Sequence, residues 1–120
     1  MDITGEQGPT RSTQVQPPIG VWEQFFGLST QSPLRPTLRL VNMVDGGAPE
    51  QRKVVKHHHN FTIEVAGVKG ARPAIVRMRR VDAKAFEYWV YRRGSKEYSH
   101  CDWLLKTFSD DVKGRRWVII

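Results

Sequence analysis

The chain has one cysteine, Cys101, in 120 residues. A single thiol excludes an intramolecular disulfide, and no C-x-x-C pair is present to start a structural zinc site. No apolar run approaches the ~18 residues that read as a membrane-spanning helix. The opening stretch Met1–Glu6 lacks the charged and apolar regions of a signal peptide, so a cytoplasmic location is expected. Gly-rich phosphate loops, G-x-S-x-G elbows, internal repeats and heptads are all missing. No motif names a reaction, a cofactor or a metal, and a non-catalytic module is the expectation. Acidic residues are also scarce, with 12 Asp/Glu against 19 Lys/Arg and a net charge of +7.

The imbalance is concentrated. Residues 51–120 carry sixteen basic and seven acidic residues, whereas residues 1–50 carry three and five. Clustered arginine on a basic domain is the electrostatic footprint of polyanion binding. Residues 1–18 consist mainly of Gly, Pro, Gln, Ser and Thr, which predicts a disordered tail ahead of one basic β-rich domain over 19–120.

Periodicity gives the element order. Trp22, Phe25 and Phe26 fall at i, i+3 and i+4, as on a short helix before Gly27. The prolines around Leu34 break the chain, Thr37–Val44 reads as a strand, and Asp45–Pro49 as a loop. Lys53–Val65 reads as one long strand by its period of two, followed by strands over Ala74–Arg79 and Phe86–Tyr91 in an antiparallel meander. Ser95 is a helix N-cap with Glu97 in the first turn. Tyr98, Cys101, Leu105 and Phe108 form one stripe, to be buried against the sheet. Residues 109–114 break this helix, and Arg115–Ile120 closes the fold as a strand. The expected class is α+β: a small antiparallel β-rich domain or partly open barrel with one C-terminal helix before the last strand.

Arginine beside aromatic and β-branched residues is the main functional signal, in Ile75–Arg80, Tyr88–Arg93 and Arg115–Ile119. An extended backbone can bury the apolar side chains and turn the cations outward. Arg77, Arg79, Arg80, Arg92, Arg93, Lys96, Arg115 and Arg116 are therefore the candidate nucleic-acid contacts, because guanidinium matches phosphates and guanine edges bidentately. Trp89 and Tyr91 share a strand face and are candidates to stack on bases.

Other chemistry has weaker support. His57 and His59 would share a strand face and His100–Cys101 could add ligands, but the spacing is not that of a metal site. Neighbours on a helix point ~100° apart, so His100 and Cys101 are not a coupled base and nucleophile. Glu64, Asp82, Lys84 and Glu87 could form a metal-dependent nuclease constellation if they converged.

In architecture, a short β-rich module with basic loops resembles the DNA-recognition domains attached to some restriction enzymes and plant transcription factors. An oligonucleotide-binding barrel has a comparable order, with five strands and a helix before the last. The RNA-recognition fold is disfavoured by the missing βαββαβ order and aromatic strand motif. The expected function is nucleic-acid binding, DNA ahead of RNA, on arginine-rich strands and loops. The alternative is a phage or mobile-element accessory protein that binds an acidic protein partner, and a metal-dependent nuclease stands third.

Overall fold

The computed structural model describes residues 1–111 and 115–120. Strands dominate: β1 (Asp2–Gln7), β2 (Gln14–Val15), β3 (Thr37–Asn42), β4 (Glu50–Lys53), β5 (Val55–His57), β6 (Asn60–Glu64), β7 (Ala74–Asp82), β8 (Ala85–Arg92) and β9 (Trp117–Ile119). Two helices interrupt them, α1 (Ile19–Gln24) and α2 (Lys96–Phe108). A mixed six-stranded sheet runs β4-β3-β8-β7-β1-β9, and a three-stranded antiparallel sheet runs β2-β6-β5. The sheets do not close into a barrel, and the main helix precedes the last strand, as the α+β reading requires.

Alternation along β7 and β8 divides the large sheet into two faces. Val76, Met78, Phe86 and Tyr88 enter the main core with Leu38, Leu40 and Ile3. That core is closed by α1 and the small sheet through Trp22, Phe25, Phe26, Phe61 and Ile63. The Trp22 indole N–H donates to the Phe61 carbonyl at 3.2 Å, which satisfies the polar edge of a fully buried ring. Ile75 and Val118 face the other way and pack with Cys101 and Leu105 of α2. Ser95 caps α2, accepting from the Tyr98 N–H at 3.1 Å, and Gly94 supplies the positive φ of +94° that turns the chain into it.

Four expectations are corrected. The segment 1–18 is not a disordered tail over its length, because β1 lies inside the large sheet, paired with β7 on one side and β9 on the other. Ile3 and Val15 are fully buried. Composition concealed this because a central strand needs backbone partners more than large side chains. Gly5 must even lack one: a Cβ there would lie 2.2 Å from the Trp117 ring that fills the space.

The long strand over Lys53–Val65 is broken into β4, β5 and β6. His58, at a φ of +57°, and His59 form the β5–β6 turn, so the histidines sit exposed at a hairpin tip rather than along one strand face. The meander is a single hairpin, β7–β8, since β6 belongs to the small sheet, and β3 pairs β8 in parallel. Finally, the buried stripe of α2 ends at Leu105, while Phe108 is 62% exposed on the last helical turn. The predicted breaker at 109–114 falls partly on residues 112–114, which lie outside the described residues.

Burial sets the expected mutational costs. Ile3→Ala and Leu105→Ala should each cost ~2–5 kcal/mol in urea unfolding, the range for emptying a fully buried aliphatic site. Phe108→Ala should stay within ~0.5 kcal/mol, as for ordinary surface changes. An Ile3→Ala variant as stable as the parent would remove β1 from the core.

Candidate nucleic-acid interface

The candidate arginines separate into three environments. Arg77 and Arg79 leave β7 on the α2 side of the sheet, where Arg77 pairs across to Trp89 and Arg79 to Glu87. Both guanidinium carbons lie over the Trp89 ring, at 4.5 and 5.2 Å from its centroid. Neither cation is free. Asp2 accepts from Arg77 Nε at 2.9 Å and Nη2 at 2.6 Å. Arg79 lies 3.8 Å from Asp2 and 3.7 Å from Glu87. The Tyr91 hydroxyl and then Asp2 hold the Arg77 pKa above its ordinary value, against the burial that lowers it. Two carboxylates thus match two guanidinium groups. Trp89 lies beneath those cations, and Tyr91 packs against the α2 cluster, so the pair forms no open base-stacking platform.

Arg80 and Arg116 both bond within the domain, Arg80 from an exposed position without an ion pair among the described residues and Arg116 from a buried one. Arg80 turns to the opposite face and donates from Nη1 to the Phe25 carbonyl just past α1, at 3.4 Å. Arg116 is only 4% exposed, although the sequence reading placed it among the contacts. It donates from Nε to Glu6 at 3.2 Å, from Nη2 to the same carboxylate, and to Asp102 Oδ1 at 2.7 Å. Lys106 also reaches Asp102, at 3.0 Å. Burial opposes the Arg116 charge, but the Glu6 and Asp102 carboxylates outweigh it and raise its pKa. The cluster ties the approach to β9 to β1 and α2. Breaking a buried pair from one side leaves an uncompensated charge.

The third environment is one end of the large sheet. Register sets Gln7 beside Ala74 and Ala74 beside Arg92, so the chain segments that continue from β1, precede β7 and continue from β8 meet there. Arg72 binds them together, donating to the Gly8 carbonyl at 3.3 Å, to Gln7 Oε1 at 3.4 Å and to the Gln14 carbonyl. Arg92 donates to the Gly70 carbonyl at 3.5 Å. Arg93 lines a cavity of about 510 Å³ with Gly8, Pro9, Pro73 and Tyr98. Arg11, Lys69, Arg92 and Arg93 are exposed, as is Lys96 at the start of α2. Among the described residues none of these five makes an ion pair. Of the nearby carboxylates, Glu6 and Asp102 are bound by Arg116, while exposed Glu97 follows Lys96 and lines a cavity with it, Asp2 and Arg77. Sequence reasoning named Arg92, Arg93 and Lys96 but missed Arg11, which fell in the supposed tail, and Lys69, in a glycine turn. Arg115 is exposed on a different cleft, with Arg72 and Asn60.

The other candidate chemistry disperses. Glu64 lies on the small sheet, 3.5 Å from Arg52. Asp82 accepts from the Ala83 N–H in the β7–β8 turn, beside Lys84, and Glu87 faces Arg79. Among the described residues no group of three His, Cys, Asp or Glu side chains is placed to hold a metal. Cys101 is buried, which pushes its thiol pKa up, whereas exposed His100 stacks near Trp103 at 6.3 Å.

No protein-family model matches the chain, and no match was found among curated proteins. Among solved structures, the N-terminal domain of Helicobacter pylori LlaJI.R1 is similar, with a TM-score of 0.70 at 9% identity. The alignment covers 100% of this chain and 99% of that one. At this identity the likeness concerns the fold alone.

The Arg116 cluster gives stability a pH dependence. Burial acts to raise the Asp102 pKa, but the bonds from Arg116 and Lys106 outweigh it and hold the carboxyl below its usual range. A depressed folded pKa contributes stability that is complete above the unfolded value of ~3.9 and is lost as pH falls through the folded pKa. Unfolding free energies measured from pH 5 down to pH 2 should therefore decline less steeply in Asp102→Asn than in the parent. Identical slopes would show that Asp102 carries no such linkage.

Proposed function

We propose that this domain binds nucleic acid, DNA ahead of RNA, through the loop end of its large sheet, with Arg11, Lys69, Arg92, Arg93 and Lys96 as the contacting cations. The observation that carries the reading is the distribution of ion pairs. On the α2 face a phosphate would have to displace Asp2 or Glu87 from Arg77 and Arg79. At the loop end Arg11, Lys69, Arg92 and Arg93 make no ion pair among the described residues, so no such displacement is needed. Phosphate contacts there gain counterion release without breaking an internal pair. Arginine adds the fork geometry that matches phosphate oxygens and guanine edges. Arg11, Lys69 and Arg93 lie in connecting segments, Arg92 ends β8 and Lys96 begins α2, so the cations sit at the edge of an ordered sheet, the usual arrangement for a binding surface.

The test is a titration of duplex DNA at several salt concentrations, repeated with RNA of the same sequence. Changing Arg92 and Arg93 together to Ala should lower the slope of log K against log salt by up to ~1.8, from two phosphates at ~0.9 each. The Arg77→Ala/Arg79→Ala variant, folded by circular dichroism, should change it less. The reverse order would move the site to the α2 face. If the parent binds neither nucleic acid at low salt, the reading fails, and an acidic protein partner becomes the account of the charge.

A further inference from the structure

A cleft of about 690 Å³ lies between the loop that follows β1, the small sheet and the approach to β9. Arg72 and Arg115 both line it, with the hydroxyls of Thr10 and Ser12, the amides of Gln14 and Asn60, and Glu6, whose carboxylate is bound by Arg116. We propose that this cleft is a binding site for a phosphate group, carried on a free nucleotide or on a nucleic-acid strand.

Arg72 motivates the assignment. Every acceptor it reaches among the described residues is neutral: the carbonyls of Gly8 and Gln14 and the amide oxygen of Gln7. Its Nε is sequestered from solvent without a hydrogen-bond partner among the described residues. Burial lowers its pKa, and no carboxylate among the described residues offsets that. The contrast with Arg116 is direct, since that buried guanidinium has two carboxylates. A partly desolvated cation with no counter-charge among the described residues is costly to maintain, and an oxyanion in the cleft supplies the missing charge. Arg115 brings a second cation to the cleft and makes no ion pair among the described residues, although Asp111 also lines it. Hydroxyl and amide groups complete a lining able to donate to the remaining phosphate oxygens. The volume lies within the ~300–1,000 Å³ range of small-molecule sites, enough for a whole nucleotide. Structural pinning of the loop by Arg72 alone would not call for the second arginine.

The test is calorimetric titration of the full chain with inorganic phosphate and with deoxyadenosine 5′-monophosphate, at ionic strength held constant by chloride. Saturable one-to-one binding of at least the nucleotide is expected. Arg115→Ala, at an exposed position, should weaken it at least ~10-fold, the equivalent of ~1.4 kcal/mol. Arg72→Gln should do the same, and Asn60→Ala provides a further variant should Arg72→Gln loosen the loop. Arg92→Ala/Arg93→Ala should leave it unchanged. Adding duplex DNA separates the two sources: displacement of the nucleotide assigns the site to a strand phosphate, and no displacement assigns it to a free ligand. The proposal is overturned if neither probe binds saturably, or if Arg115→Ala and Asn60→Ala both bind as the parent does. Phosphate binding that survives while duplex binding is absent would remove the loop-end reading and leave this one standing.

Discussion

The antiparallel ladders on both sides of β1 are the constraint on which the rest depends. Six residues, Asp2–Gln7, join β7 to β9 and so connect the long hairpin to the closing strand. Their side chains reach every neighbouring layer. Ile3 enters the main core, and Gly5 leaves room for Trp117. On the other face Asp2 holds Arg77, and Glu6 holds Arg116. Without β1, β9 loses its strand partner, and Arg77 and Arg116 lose carboxylates. Arg116 would then be the costlier loss, because it is the more deeply buried of the two.

The same strand decides which cations remain available. A basic chain does not present all of its charge to a partner, since some of it balances internal carboxylates. Asp2 and Glu87 pair with Arg77 and Arg79, and Glu6 and Asp102 neutralise Arg116. The exposed, unpaired cations at the loop end are what remains there after this balancing. Arginine-rich strands are therefore a poor guide to a binding face until their partners are known. Arg77 and Arg79 stood among the eight candidate cations in the sequence, yet both lie against carboxylates of the same chain.

Local patterns made part of the fold legible in advance. Ser95, Glu97 and the spacing of Tyr98, Cys101 and Leu105 specify a capped amphipathic helix, which is what forms. Alternation in Ile75–Arg79 and Phe86–Tyr91 specifies a hairpin with two differently occupied faces. Pairings between distant segments were not legible. Nothing in Asp2–Gln7 declares a central strand, because its neighbours lie about seventy and a hundred and ten residues away. The parallel match of β3 to β8 is equally nonlocal. The hairpin tip at His58 is hidden because a period of two runs through it without a glycine or proline to mark the turn. For the same reason Arg116 reads as a surface cation from its neighbours, although Glu6, 110 positions earlier in the chain, buries and binds it.

The location of the binding surface is the central claim, and amide chemical-shift mapping tests it most directly. Duplex DNA titrated into labelled protein at low salt should perturb residues 8–13, 69–72 and 92–96, which belong to segments brought together by the ends of β1, β7 and β8. Perturbations confined to β3, the β7–β8 turn and the Arg77–Trp89–Arg79 face would contradict the account and show that the paired arginines exchange their carboxylates for phosphate.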